Sequence, residues 1–413
     1  MKFRSMLAAA LGALAFSATA VAQQPLKIGF GMSLTGALAG NGKAALIAME
    51  QWRDDVNAKG GILGRKVEFV YYDDQTSPAS VPALYTKLMD VDKVDLVVSG
   101  YGTAVIAPAI PLMMQRNMCF MTLFGLAPNS KFNYDKYFQI MPAGPDPSLG
   151  WTKGFFDAAM KMNPKPKTVA IVGADAEYPH GAMAGARAHA KEHGLKVVYD
   201  KTYPPNTVDY APIVRAIQAT NPDLVYVGSY PPDTAGMIRA ANEVGLKTRM
   251  FGGGMVGLQY ASLRTQLGPL LNGVVNYEMY APEVASKFPF LEKIIGKYQE
   301  RAVKEGVDPL GYYLPPYAYA MMEVLGQAVT ATKGTDQAKL AEYIHKTTFD
   351  TVVGKVAFAK NGEWASSRVL MVQFGGIKGN SLDEWKGPGR ITVLEPAEYK
   401  TGNVRAPFQD NRK

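Results

Sequence analysis

From Leu26 onward the chain alternates two hydrophobic rhythms. Short runs of Val, Ile, Leu and Phe, of strand length, are followed by stretches whose apolar residues recur at spacings of three and four, as one buried helix face requires. Residues 26–32 read as a strand, closed by Ser33-Leu34-Thr35-Gly36. Residues 42–58 read as a helix with Ala45, Leu46, Met49, Trp52 and Val56 inward, stopped by Gly60-Gly61. Strand 67–72, helix 80–91, strand 95–99, helix 104–114 and strand 118–123 continue the series. Such βαβα alternation predicts a parallel sheet with helices on both faces.

A second series starts after Met141-Pro142-Ala143-Gly144-Pro145-Asp146-Pro147, a stretch too rich in Pro and Gly for either element. It runs helix 149–162, strand 168–172, helix 181–193, strand 196–202, helix 210–219, strand 224–228, helix 234–244 and strand 249–251. The expectation is an α/β protein of two doubly wound parallel-sheet lobes. After Gly273 come strand 274–279, helices 288–304 and 312–332, and a hairpin-like pair, 355–359 with 368–374, around Lys360-Asn361-Gly362. This tail is too small for a third lobe, so it is assigned to both. Residues 26–142 with 277–353 form the N-terminal lobe, and 143–276 with 354–408 the C-terminal lobe. Lobes joined by several crossings form a cleft that hinges shut.

Composition narrows the classes. A chain of 413 residues fits two or three domains at ~100–200 residues each. Hydrophobic content of 47% with 19% charged residues excludes a disordered or fibrous chain. The net charge is +8, but the basic residues are scattered, so no stripe for nucleic acid emerges. The single cysteine, Cys119, excludes an intrachain disulfide and any multi-cysteine metal site, and its neighbours Met118 and Phe120 make it a core residue.

Residues 1–22 have Lys2 and Arg4 at the start, an apolar stretch from Met6 to Phe16, and Ala20-Val21-Ala22 before Gln23. That order is a secretory signal cleaved after Ala22, too short and too polar at its end to be a membrane anchor. The expected compartment is therefore outside the cytoplasm.

Gly252-Gly253-Gly254-Met255-Val256-Gly257 fits G-x-G-x-x-G after a strand, with Glu278 about 20 residues on. The helix behind it is cut short by Gly268-Pro269, so the glycines read as a strand-end loop that approaches a ligand closely. Gly36 to Lys43 is one residue too long for a phosphate-binding loop and lacks the following hydroxyl. His189 and His193 have a metal-ligand spacing but no evident third ligand, and read as a solvated helix face. Asp54-Asp55 and Asp73-Asp74 are assigned surface roles.

Lys27-Ile28-Gly29-Phe30 with Ser33-Leu34-Thr35-Gly36, Asp55-Val56-Asn57-Ala58-Lys59-Gly60-Gly61-Ile62-Leu63-Gly64 and Tyr72-Asp73-Asp74 resemble the leucine/isoleucine/valine-binding protein family. Ala170-Ile171-Val172, Tyr178 before Gly181, Asp209-Tyr210, Pro222-Asp223 and Val244-Gly245-Leu246-Lys247 extend the resemblance over residues 26–375. These are periplasmic solute receptors of ABC importers. The resemblance implies the type I periplasmic binding fold, a ligand between the lobes, an ABC permease as membrane partner, no nucleic acid, no cofactor, no metal and no chemistry on the ligand. The receptor is expected to act as a monomer.

It also implies a pocket. The loop Ser99-Gly100-Tyr101-Gly102-Thr103-Ala104 matches the one that holds the ligand carboxylate, with Thr103 at the hydroxyl position and Tyr101 and Ala104 beside it. A helix start offers unpaired N–H groups to an anion; a plain helix cap is the structural reading of the same threonine. Phe124, Gly125 and Leu126 fall in the next lining loop, Tyr178 and Tyr230 at the second lobe's aromatic walls, and Asn41 at a first-lobe lining position. Gly254, next to Met255, stands where amino-acid receptors place an acid for the ligand ammonium, and Leu126 where they place a second hydroxyl. An ammonium buried without that partner forfeits about 3–5 kcal/mol. The expected ligand is therefore a small organic carboxylate, aromatic by the character of Phe124, Leu126, Met255, Tyr178 and Tyr230. Branched-chain or other amino acids in the same role, a sensory receptor, and an exported enzyme are the competing readings.

Overall fold

The computed structural model describes residues 24–412. The expected signal at residues 1–22 lies outside them. Two sheets organise the chain, and the first is wholly parallel. Its strands are β1 (Leu26–Met32), β2 (Val67–Asp73), β3 (Leu96–Tyr101), β4 (Phe120–Leu123) and β5 (Tyr137–Gln139), in the order β2-β1-β3-β4-β5. Helices α1 (Ala39–Ala58), α2 (Val81–Asp90), α3 (Thr103–Ile106) and α4 (Ile110–Arg116) connect them. The expected helix 104–114 is split into α3, a 3-10 turn at Ala107–Ala109 and α4, because Pro108 and Pro111 have no N–H to continue the ladder.

The second sheet has β6 (Thr168–Ala174), β7 (Lys196–Tyr203), β8 (Leu224–Ser229), β9 (Met250–Met255) and β10 (Val275–Glu278), all parallel. Around it lie α5 (Pro147–Met160), α6 (Glu177–Glu192), α7 (Ala211–Ala219), α8 (Pro231–Val244) and α9 (Ala261–Leu267). Local signals fix their ends: the Asp146 carboxylate accepts the Leu149 N–H with Pro147 next in line, and Gly245 closes α8 in the left-handed conformation. β8 and β9 are buried throughout, as interior parallel strands must be. The run Gly252–Gly254 is thus part of a strand and not the loop expected from its glycines. A Cβ on Gly252 would stand 1.9 Å from the Val275 carbonyl oxygen, so the glycine lets β10 come alongside.

The chain then returns to the first lobe with α10 (Glu292–Glu305), α11 (Leu314–Thr332) and α12 (Gln337–Lys346). α11 is apolar on nearly every side because it lies between α1 and β4. β11 (Phe349–Thr351) and β12 (Gly354–Val356) pair with each other, while β13 (Leu370–Phe374) and β14 (Ile391–Glu395) extend the second sheet antiparallel, giving β14-β13-β10-β9-β8-β6-β7. The expected hairpin of 355–359 with 368–374 is therefore replaced: β12 pairs back to β11, and β13 pairs with β10 and β14. The changes of lobe also move from 276/277 and 353/354. β10 lies in the second sheet to Glu278, and the Glu283 carboxylate still accepts N–H groups of Gly389, Arg390 and Ile391 there. At the other crossing the Gln139 N–H bonds the Gly362 carbonyl at 2.8 Å, so the turn at 360–362 stays on the first lobe.

Candidate functional site

β3 ends at Tyr101, and Gly102, at φ 110°, turns the chain into α3. The cap position is Gly102, so the cap reading of Thr103 does not hold. The Thr103 hydroxyl oxygen instead accepts the Leu126 N–H at 2.9 Å, which leaves its own proton to donate. The N–H groups of Thr103 and Ala104 meet no acceptor among the described residues. Three donors thus sit together at this corner. After β4, Phe124 adopts a left-handed φ of 49°, a costly conformation for a bulky residue. Its ring lies edge-on to Tyr313 and Tyr317, with centroids 5.3 and 5.1 Å away.

These loops face the second lobe across a cavity of about 20 Å³, room for one water. Tyr101, Gly102, Thr103, Phe124, Leu126 and Met141 line it from the first lobe; Trp151, Tyr178, Tyr230 and Val256 from the second; Tyr313 from the crossover before α11. The walls carry no carboxylate, ammonium or guanidinium group. Larger cavities of about 590 and 510 Å³ flank it on two sides, the first lined by Asn41, Lys43, Tyr260 and Asp308, the second by Thr103, Leu126, Lys131, Glu177 and His180. The lobes are closed on each other.

Tyrosine hydroxyls bridge the lobes. Tyr313 OH lies 3.3 Å from both Tyr101 OH and Tyr277 OH. On the second lobe, Trp151 Nε1 donates to Tyr178 OH at 3.1 Å, and Tyr178 OH donates to the Gly254 carbonyl at 2.9 Å. Burial pushes the Tyr101 phenol up to about 12 and drives Tyr178, Tyr277 and Tyr313 well above their ordinary value, so all are neutral hydrogen-bond donors. A Cβ on Gly254 would stand 2.7 Å from Tyr226 OH and 3.3 Å from Tyr178 OH: phenols fill the space where an acid side chain would project. Asn41 Nδ2, Tyr226 OH and Tyr260 OH are buried without a hydrogen-bond partner.

Of the residues singled out from sequence, Tyr101, Thr103, Phe124, Leu126, Tyr178 and Tyr230 line the central cavity, and Asn41 lines its larger neighbour. Ala104, Gly125, Gly254 and Met255 are not in its walls. The Gly125 carbonyl is held by Gln139 Nε2, and both backbone groups of Met255 are held by Asn276. Sequence reasoning missed Met141, Trp151, Val256 and Tyr313. Trp151 repeats with Phe155 at core spacing, and only the position of Tyr313 just before a helix in a crossover carried any signal.

The acids set aside earlier have structural duties. Asp74 is buried and not at the surface, contrary to expectation: it accepts from Ser33 Oγ at 2.6 Å and from the Thr76 N–H, with its carboxyl raised by burial. Glu278 pairs with Arg264 at 2.6 Å in the interior and offers no hook for a ribose.

The sequence profile of the periplasmic binding protein family matches residues 25–379. The Leu/Ile/Val-binding protein of Escherichia coli (strain K12) is 27% identical over 369 residues, covering 88% of this chain and 94% of that protein. Among solved structures, a leucine binding protein from Thermotoga maritima superposes with a TM-score of 0.74 at 21% identity, over 89% of this chain and 97% of its own. A solute binding protein of an ABC transporter from R. palustris, in complex with benzoate, does so at 0.72 and 18%, over 90% and 95%.

Proposed function

Because the chain belongs to the periplasmic binding protein family, we propose that it is the solute receptor of an ABC importer and that its cargo is a small aromatic carboxylate. The uncharged, tyrosine-rich wall of the inter-lobe cavity carries this reading. Rings at Phe124, Trp151, Tyr178, Tyr230 and Tyr313 suit a flat apolar body. At one corner the Thr103 hydroxyl and the free N–H groups of Thr103 and Ala104 receive the carboxylate, as neutral dipoles do for anions. An α-ammonium would meet no carboxylate, at a cost of about 3–5 kcal/mol.

The receptor works by population shift. The central cavity has room for only one water, so the lobes part further to admit the ligand and then close onto it. Touching both lobes, the ligand binds that closed form better than the open one and stabilises it. A membrane permease reads that form and receives the ligand unchanged, in the periplasm. Micromolar affinity, about −8 kcal/mol, is within reach of one anion corner and several ring contacts.

An amino-acid cargo in the same role is the second reading, favoured by the 27% identity to the E. coli protein. A thermal-shift screen of the mature chain against aromatic acids and amino acids separates the two. A ligand at about 100 times its dissociation constant adds ~2.7 kcal/mol of stability. Mass spectrometry of the recovered ligand tests release without chemistry.

A further inference from the structure

Far from the cleft, α6 ends in His189-Ala190-Lys191-Glu192-His193. At this spacing His189, Glu192 and His193 share one side of the helix end. The solvated face expected for the two histidines is corrected on both counts. His189 has only 6% of its side chain exposed, stacked on Phe156 at 5.5 Å because α6 lies against α5, and Glu192 supplies the third group.

His189 Nε2 lies 3.0 Å from the Leu149 carbonyl oxygen. A carbonyl can only accept, so Nε2 carries a hydrogen and Nδ1 is the ring atom left to face Glu192. Nδ1 lies 3.0 Å from Glu192 Oε2, an acceptor. A positive centre between the two atoms, a proton or a metal ion, suits this separation. The His193 ring lies nearly parallel to His189, 6.2 Å away, and makes no hydrogen bond among the described residues. The ligating atoms of all three residues lie within 4.8 Å of one another.

We propose that His189 Nδ1, the Glu192 carboxylate and His193 form a binding site for a divalent transition-metal ion, with zinc the best match. Two imidazoles and one carboxylate are a zinc donor set, and water completes the tetrahedron. Bonds of about 2.0–2.2 Å bring tetrahedral ligand atoms to roughly 3.4 Å apart. The exposed Glu192 and the half-buried His193 swing in to meet this, while His189 stays fixed. The Nε2–H bond to Leu149 is the outer contact that aims a ligating imidazole. Bound metal would clip the last turn of α6 to its C-cap residue His193, some ~16 Å along the helix axis from Tyr178 at the cleft.

The test is calorimetric titration of the EDTA-stripped mature chain with zinc chloride, with melting followed in parallel. One zinc per chain is expected, with a rise in melting temperature. Glu192→Gln and His193→Ala should each weaken binding by about tenfold or more and abolish the melting shift. Both replace side chains that reach solvent, so the fold is kept, and circular dichroism verifies it. Absence of zinc binding would overturn the proposal and leave a proton between His189 and Glu192. A zinc isotherm unchanged in both variants would overturn it equally.

Discussion

The Thr103 hydroxyl oxygen receives the Leu126 N–H at 2.9 Å, and this bond joins the loop after β3 to the loop after β4. Thr103 satisfies a buried donor, and under the proposed function it also donates its own proton to the ligand carboxylate. Thr103→Ala loses both. Stability should fall by about 1–3 kcal/mol, because the Leu126 N–H is left unpaired. Affinity for an aromatic carboxylate should fall between tenfold and a hundredfold, the worth of one hydrogen bond to a charged group at about 1.5–3 kcal/mol. Thr103→Ser should keep most of each. Denaturant unfolding and calorimetry measure the two losses separately, and unchanged affinity in the alanine variant would place the carboxylate elsewhere.

Closure depends on a glycine. A Cβ on Gly181 of α6 would stand 3.1 Å from Leu126 Cδ2 on the opposite lobe. Gly181→Val should hold the lobes apart, enlarging the radius of gyration of the ligand-saturated protein in X-ray scattering and lowering affinity about tenfold or more. Adding Leu126→Ala should restore part of the closure. A variant that closes normally would show that the lobes do not meet there.

Much of the fold was legible because parallel βα units write their periods plainly. β1, α1, β2 and the elements of the second lobe up to β8 lie within a few residues of their expected places. What failed was non-local. The partner of β13 is β10, nearly a hundred residues earlier, and nothing in the turn Lys360-Asn361-Gly362 reports that pairing. The glycines of β9 looked like a loop because their reason, the approach of β10, lies outside their own segment. In the site, the loops that carry Thr103, Phe124 and Leu126 were legible from motif order. Trp151 and Met141 were not, since an apolar residue facing a cleft has the same spacing as one facing the core.

Glu278 sets a pH dependence. Burial pushes its carboxyl up to about 7, against the downward pull of the Arg264 guanidinium 2.6 Å away. The native chain thus keeps this proton up to about pH 7, whereas the unfolded chain releases it near ~4.3. Between those values the native state binds more protons, so this group makes the unfolding free energy fall as pH rises. Glu278→Gln should flatten that part of the profile, measured by urea unfolding from pH 4.5 to 7.5. Identical slopes in both proteins would contradict it.

Glu363 is 3% exposed, and its Oε2 has no hydrogen-bond partner. Burial raises its carboxyl well above its ordinary value and so favours the neutral acid. Glu363→Gln, equal in shape and uncharged, should leave the melting temperature at pH 7 unchanged or raised. A loss of more than about 2 kcal/mol would mean the acid is ionised and paired.

Calorimetric titration of the mature chain with benzoate and, separately, with leucine addresses the cargo itself. The uncharged tyrosine wall around Thr103 predicts one benzoate bound per chain and no measurable heat from leucine. Leucine binding at one per chain, with benzoate inert, would contradict the assignment of an aromatic carboxylate to this cleft.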